Sequence, residues 1–123
     1  MADVREYADS LLANSDAIAL NALAEFTLFT IPAGKSCIIT KVIMHTPSAA
    51  IGEVDISFGF NAGTSNDVIA DAPRILTGVT NYQVISAKDD AVRGAAEDIF
   101  GMKINGVETA ADTAKFAVFG FLY

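Results

Sequence analysis

The sequence predicts an all-β fold, an antiparallel β-sandwich or jelly roll of about seven or eight strands with a short N-terminal arm or helix. Three observations predict it: apolar and polar residues alternate after Ala17, turn signals recur at short intervals, and no helical pattern separates the strands. We expect an arm over residues 1–16 and one sandwich domain over 17–123, since a chain of 123 residues suffices for one core.

The first part of the chain has the one helix-like pattern. Asp3 and Glu6 are spaced as in a capping box, and the apolar residues that follow share one helical face. These residues are Val4, Tyr7, Ala8 and Leu11. A helix this short is marginal alone, so residues 2–13 are interpreted as an arm that docks on a neighbouring subunit or on its own domain, with a frayed terminus as the alternative.

Strands follow wherever the period is two or the run is β-branched. They are predicted at 18–20, 26–31, 37–45, 54–61, 82–87, 99–105 and 115–123. Turns are expected at Pro32 to Lys35 and at Asn105-Gly106, and residues 88–98 form a loop or a single helical turn. The segment 61–78 is interrupted by Asp71 and Pro73, which makes it the candidate for a functional loop.

Three of these strands carry more specific expectations. In the strand that begins at Val54, one face is apolar through Phe58, and the other is either solvated or close to another backbone. The strand 99–105 places Phe100, Met102 and Ile104 inward. The last run is apolar on both faces, which is typical of a central strand or of a strand in a subunit interface.

Composition narrows the class of partner. The hydrophobic fraction of 52% indicates apolar surface left for association, and we expect a homo-oligomer, a dimer or a trimer. The net charge is −7 and the eight basic residues are scattered from Arg5 to Lys115, so no nucleic-acid partner is expected. No window resembles a secretory signal or a membrane span, so we expect synthesis in the cytoplasm, no secretion and no membrane partner.

The sequence offers little for catalysis or cofactor binding. It has one histidine, His45, and one cysteine, Cys37, which cannot form a triad or a zinc site by themselves. Side-chain oxygens of the loop with Asn61, Asn66, Asp67 and Asp71, and those of Asp89-Asp90, leave calcium open, although no EF-hand spacing is present. The expectation is therefore no enzyme, no catalytic, cofactor-binding or metal residues, and no cofactor.

The order of these segments resembles small virion structural proteins of tailed bacteriophages, in particular head decoration (cement) proteins with a jelly-roll core. The residues that carry the resemblance are Phe29 to Lys35, the strand through Val42, Phe58 to Asn61, and Phe119 to Tyr123. It implies a protein on the capsid surface of the virion that self-associates and bridges major capsid proteins, stabilising the phage head.

Two alternatives from other classes stay open. One is a fibre or collar tip that binds a host receptor or glycan through loop 61–78, and the other is a cellular jelly-roll binder of a small molecule. If the resemblance holds, the arm and the C-terminal strand supply the interface. The predicted interface residues are Val4, Tyr7, Leu11, Phe119, Phe121 and Tyr123.

Overall fold

A computed structural model describes residues 9–123, and these residues form two antiparallel sheets. Nine strands follow one another along the chain: β1 (Ser10–Asn14), β2 (Ile18–Ala19), β3 (Ala24–Thr30), β4 (Cys37–His45), β5 (Ile51–Gly59), β6 (Ile69–Leu76), β7 (Gln83–Ser86), β8 (Ile99–Gly106) and β9 (Thr113–Leu122). One sheet has the order β1-β9-β4-β7, with β2 also paired to β9, and the other has the order β3-β8-β5-β6. The predicted all-β sandwich is confirmed.

The strand order is that of a jelly roll. Apart from the two-residue β2, the strands pair as nested partners: β1 with β9, β3 with β8, β4 with β7, and β5 with β6. A long hairpin that is rolled into two layers gives this nesting, and successive partners then alternate between the sheets. The described residues include no helix that is long and apolar enough to span a membrane.

The N-terminal helical pattern is wrong where it can be checked. Residues 10–14 form a strand, because the exposed edge of β9 offers them backbone partners from Ser10↔Gly120 to Asn14↔Ala117. A four-residue helical end would have formed few internal hydrogen bonds, so the sheet wins. Val4, Tyr7 and the rest of residues 1–8 lie outside the described residues. The division into an arm over 1–16 and a domain over 17–123 stays a prediction.

The predicted turn at Pro32 to Lys35 is confirmed. It joins β3 to β4, with a hydrogen bond from the Lys35 N–H to the Pro32 carbonyl at 3.3 Å. Gly34 has a φ of 76°, a conformation that costs glycine little. Residues 88–98 form the predicted loop. An isolated antiparallel bridge joins Gly94 of this loop to Cys37 of β4.

Two local predictions need correction. The stretch 61–78 is not one long loop, because a loop over 60–68 is followed by β6, where the edge position tolerates Pro73. Asn105-Gly106 is not a tight turn: Asp55 and Ile56 of β5 face Gly106 and Ile104, so Asn105 is the extra residue of a β-bulge. The chain turns instead at 107–112.

The core lies between the two sheets and is closed by phenylalanines from both. Phe58 and Phe100 of one sheet stack at 6.3 Å between ring centroids, and Phe116 of the other sheet lies 6.1 Å from Phe58. All three rings are fully buried. The predicted inward residues of β8, Phe100, Met102 and Ile104, are confirmed at 0% exposure, and β9 is a central strand as expected.

Candidate interface

The side of the β1-β9-β4-β7 sheet that points away from the other sheet is apolar, and we call it the outer face. Core residues such as Phe116 and Val118 take the inner side of β9, and strand alternation turns their neighbours outward. The apolar residues of the outer face are Leu11, Ile38, Ile43, Val84, Ala117, Phe119, Phe121 and Tyr123. Four strands therefore contribute to one continuous surface.

Backbone register brings these side chains together. Phe119 lies between Leu11 of β1 and Lys41 of β4, and Phe121 lies opposite Ile38. The ring centroids of Phe121 and Tyr123 are 6.3 Å apart. Leu11 is 57% exposed and Tyr123 is 49% exposed, while Phe119 and Phe121 are half-buried. Exposed apolar patches of this kind are typical of protein contact sites.

Polar groups lie on the outer face as well as around it, and Lys41 of β4 is placed among its apolar residues. The Lys41 ammonium lies 5.2 Å from the centroid of the Phe119 ring and 3.7 Å from Asp9 Oδ2. Its aliphatic stem can cover the ring while the charge remains in water. Arg93 donates to the Tyr123 hydroxyl at 3.0 Å.

Acidic residues are absent from the strands of this sheet. None of β1, β2, β4, β7 and β9 contains Asp or Glu, although the chain has fifteen of them. The other sheet carries Glu25, Glu53, Asp55 and Asp71. Two acidic molecules that meet through the outer face would therefore keep most of their like charges apart.

The predicted interface residues are placed together where they can be checked. Leu11, Phe119, Phe121 and Tyr123 all lie on the outer face, although their sequence positions span most of the chain. Their role as an interface stays a prediction, and Val4 and Tyr7 lie outside the described residues. Ile38, Ile43 and Val84 also lie on the outer face and were not predicted there. For Ile38 and Ile43 the signal was the β-branched run of β4, which puts apolar residues on both faces of that strand.

The loop over 60–68 is held by hydrogen bonds within the loop and to β3. Asn61 Oδ1 accepts hydrogen bonds from the N–H groups of Asn66 and Asp67 at 2.8 and 3.2 Å, and Asp67 Oδ1 accepts from the Phe60 N–H at 2.7 Å. Glu25 of β3 accepts from the Gly63 N–H at 2.9 Å and from Ser65 Oγ at 2.8 Å. Asn61 Oδ1 and Asp67 Oδ1, two of the oxygens considered for calcium, therefore already accept from protein donors.

His45 and Cys37 are held in structural settings. The ring nitrogens of His45 bond to Thr46 Oγ1 at 2.8 Å and to Asn14 Oδ1 at 2.9 Å, which ties the end of β4 to the end of β1. Cys37 is buried in the core, and burial raises the pKa of its thiol to about 11. Within residues 9–123 no three His, Cys, Asp or Glu side chains gather into a group suited to a metal ion.

Comparison with known proteins gives a fold but no sequence family. No family profile and no curated protein matches the sequence. A chain in the acid-stable capsid structure of Helicobacter pylori bacteriophage KHP30 is similar over 93% of this chain and 91% of that one, at 13% identity and a TM-score of 0.55. A chain in the capsid asymmetric unit of cyanophage Pam1 is similar over 94% of this chain and 85% of that one, at 11% identity and a TM-score of 0.48. The likeness to the KHP30 capsid chain shows that the two chains share a fold.

Proposed function

We propose that this protein is a structural component of a phage virion, a capsid decoration protein that self-associates and bridges major capsid proteins on the outside of the head. The observation that carries the proposal is the outer face, a continuous apolar surface on a sheet without acidic residues. The fold shared with a chain of a phage capsid supports the setting. In this proposal the protein is made in the host cytoplasm without secretion and acts on the virion surface.

Burial of the outer face would drive the self-association. Apolar area contributes about 25 cal/mol per Å², and a stable contact covers about 800 Å² on each partner. The contact repeats over a closed shell, so weak individual sites add up through effective concentration. A non-covalent cross-link of this kind needs complementary surfaces and no catalytic residues.

The N-terminal residues would extend the same contact. Ser10 begins β1 at the sheet edge beside Gly120, so the chain before it starts next to the outer face. Eight residues precede Asp9 and would reach roughly 26 Å if extended. We propose that Val4 and Tyr7 bury their side chains on a neighbouring molecule, together with Leu11.

The fibre-tip and small-molecule alternatives draw less support from the described residues. A receptor-binding loop needs free polar groups, whereas the oxygens of Asn61, Asp67 and Glu25 accept bonds within the protein. The outer face, by contrast, is broad and apolar, which suits a protein partner.

Light scattering after size exclusion tests the self-association. Wild type should elute as a dimer or trimer of 12.9 kDa chains, and the double variant Phe119→Ser, Phe121→Ser should elute as a folded monomer. Ile75→Ser is the matched control, because Ile75 is 50% exposed but belongs to the acidic sheet, and it should leave the oligomer intact. A truncation of residues 2–8 that leaves the oligomer unchanged would remove the arm from the contact.

Binding to the capsid is tested separately. Shells of the virus that encodes the protein, stripped of it, should co-sediment with wild type and should then break open at a higher temperature, read by light scattering. The double variant should do neither. Wild type that runs as a monomer and ignores the shells would contradict the proposal.

A further inference from the structure

The loop over 107–112, between β8 and β9, clasps the residue that follows β2. The Glu108 N–H donates to the Leu20 carbonyl at 3.0 Å, and the Leu20 N–H donates to the Asp112 carbonyl at 3.0 Å. Leu20 is fully buried, so the clasp holds a core side chain in place. Both backbone groups of Leu20 depend on this loop.

The clasp contains a buried carboxyl that has no cationic partner among residues 9–123. The Glu108 side chain is 7% exposed, its Oε1 accepts from the Gly52 N–H at 3.3 Å, and its Oε2 is shielded from water without a hydrogen-bond donor. No Lys, Arg or His of residues 9–123 forms an ion pair with it. A buried carboxylate with one open acceptor is costly.

The titratable group that faces Glu108 is Asp112. Its carboxyl lies within hydrogen-bonding reach from the same loop, whereas β5 contributes the backbone of Gly52 and the segment after β2 contributes the backbone of Leu20. Glu53, next to Gly52, is exposed to solvent. Burial first, and then Asp112, raises the pKa of Glu108, while the Gly52 N–H opposes the rise.

We propose that a single proton, held between the Glu108 and Asp112 carboxyls, closes the clasp and that its loss loosens the loop 107–112 from Leu20. Two carboxylates offer only acceptors, so they repel until one gains a proton. With the proton on Glu108, its O–H donates to the Asp112 carboxylate and Oε2 has a partner. When the pH rises, the proton passes to solvent and two like charges remain, one of them buried.

The direction of the pH effect follows from linkage. Because folding raises the pKa of Glu108, the folded protein holds this proton more tightly than the unfolded chain does. The stabilisation is complete below the unfolded value of about 4.3 and is lost progressively as the pH rises through the folded value. The clasp is therefore a device for stability in acid, whatever surface the protein binds.

A divalent cation is the competing occupant of the same position. The proton is favoured because Oε1 already faces an N–H donor and Oε2 is closed to water. A cation would need more oxygens than the two side chains supply, since calcium takes six to eight ligands. Added calcium therefore decides between the two.

Thermal unfolding of wild type and Glu108→Gln tests the proposal, with EDTA present. A glutamine amide can donate to Asp112 and accept from Gly52, so it mimics the protonated state without titrating. The Tm of the variant should exceed that of wild type by roughly 4 °C near pH 8 and should match it near pH 4. Glu53→Gln, the exposed control, should show no such pH-dependent gap.

Two further measurements keep the proposal open to refutation. The Glu108 side-chain carbon should titrate by NMR above the ordinary range of glutamate, and Asp112→Asn should lower its midpoint. Amide exchange at Leu20, corrected for its intrinsic pH dependence, should speed up in wild type as Glu108 ionises. An ordinary Glu108 titration, a Tm gap that is equal at all pH, or calcium stabilising wild type but not Glu108→Gln would overturn the proposal.

Discussion

Gly59 marks the place where the loop over 60–68 folds back onto its own strand. A Cβ at this position would lie 2.6 Å from the Asp67 nitrogen and 2.7 Å from the Asn66 nitrogen, both backbone atoms. The alternation of the sequence predicted that this face of β5 contacts either solvent or another stretch of backbone. The backbone is the one observed, and it also buries Ser57, whose hydroxyl donates to the Thr64 carbonyl.

Gly59→Ala should therefore destabilise the protein by about 1–3 kcal/mol, because backbone cannot yield to a methyl group as a side chain can. Urea denaturation measures the change. Gly52→Ala is the matched control, since a Cβ at Gly52 meets nothing within 4 Å, and it should change stability much less. Equal effects of the two substitutions would show that the close approach at Gly59 carries no strain.

At the scale of elements, the loop over 60–68, which joins β5 to β6, is bonded to β3, the edge strand at the opposite side of the same sheet. Glu25 is the fastener, with the Gly63 N–H and the Ser65 hydroxyl as donors, and Lys103 adds a bond to the Gly63 carbonyl at 2.9 Å. The loop therefore covers part of the side of this sheet that points away from the core. It also ties down the edge strand β3, which would otherwise be free to fray.

Glu25→Ala should cost about 1 kcal/mol, because one largely exposed carboxylate loses its hydrogen bonds from two donors, the Gly63 N–H and the Ser65 hydroxyl, and water replaces part of them. Hydrogen exchange is the more sensitive measurement, and the Gly63 amide should lose protection. Glu53→Ala removes an exposed carboxylate of β5 and should leave that amide unchanged. Undiminished protection in Glu25→Ala would mean that the loop is held by its internal bonds alone.

At the scale of the whole molecule, the two sheets share one core and should unfold together. Phe116 of β9 packs on Phe58 of β5, and Phe60 lies 5.3 Å from Phe100, so aromatic contacts cross between and along the sheets. Residues with 0% exposure come from both layers. A sandwich of this size has no second core to fall back on.

Phe116→Ala should lower the free energy of unfolding by about 3–5 kcal/mol, because a large buried ring leaves a cavity. Amide exchange should rise in β5 and β8 as well as in β4 and β9. Leu23→Ala, at a position 69% exposed, should have little effect on either sheet. Loss of protection confined to the sheet of β9 would argue against a shared core.

The local parts of this fold could be predicted from residues because their causes are local. Alternation in β5 and β8, the β-branched run of β4 and the turn at Pro32 to Lys35 each follow from side-chain shape and backbone preference over a few residues. The same logic predicted that Leu11, Phe119, Phe121 and Tyr123 carry surplus apolar surface. Alternation placed Phe119, Phe121 and Tyr123 on one side of the last strand, but it could not say that Leu11 lies beside them.

Long-range pairing decided the rest. β1 became a strand because β9 offered it an edge, and Asn105-Gly106 became a bulge because Asp55 and Ile56 lie opposite. The backbone groups of Glu108 and Asp112 bond to Leu20, which is far away in sequence. The sequence by itself determined the all-β class, most strands and the acidic charge, since each depends on composition or on short-range pattern. The tertiary structure alone decided sheet order, the gathering of the strands without acidic residues into one sheet, and the buried carboxyl, because burial and charge environment depend on which strands become neighbours.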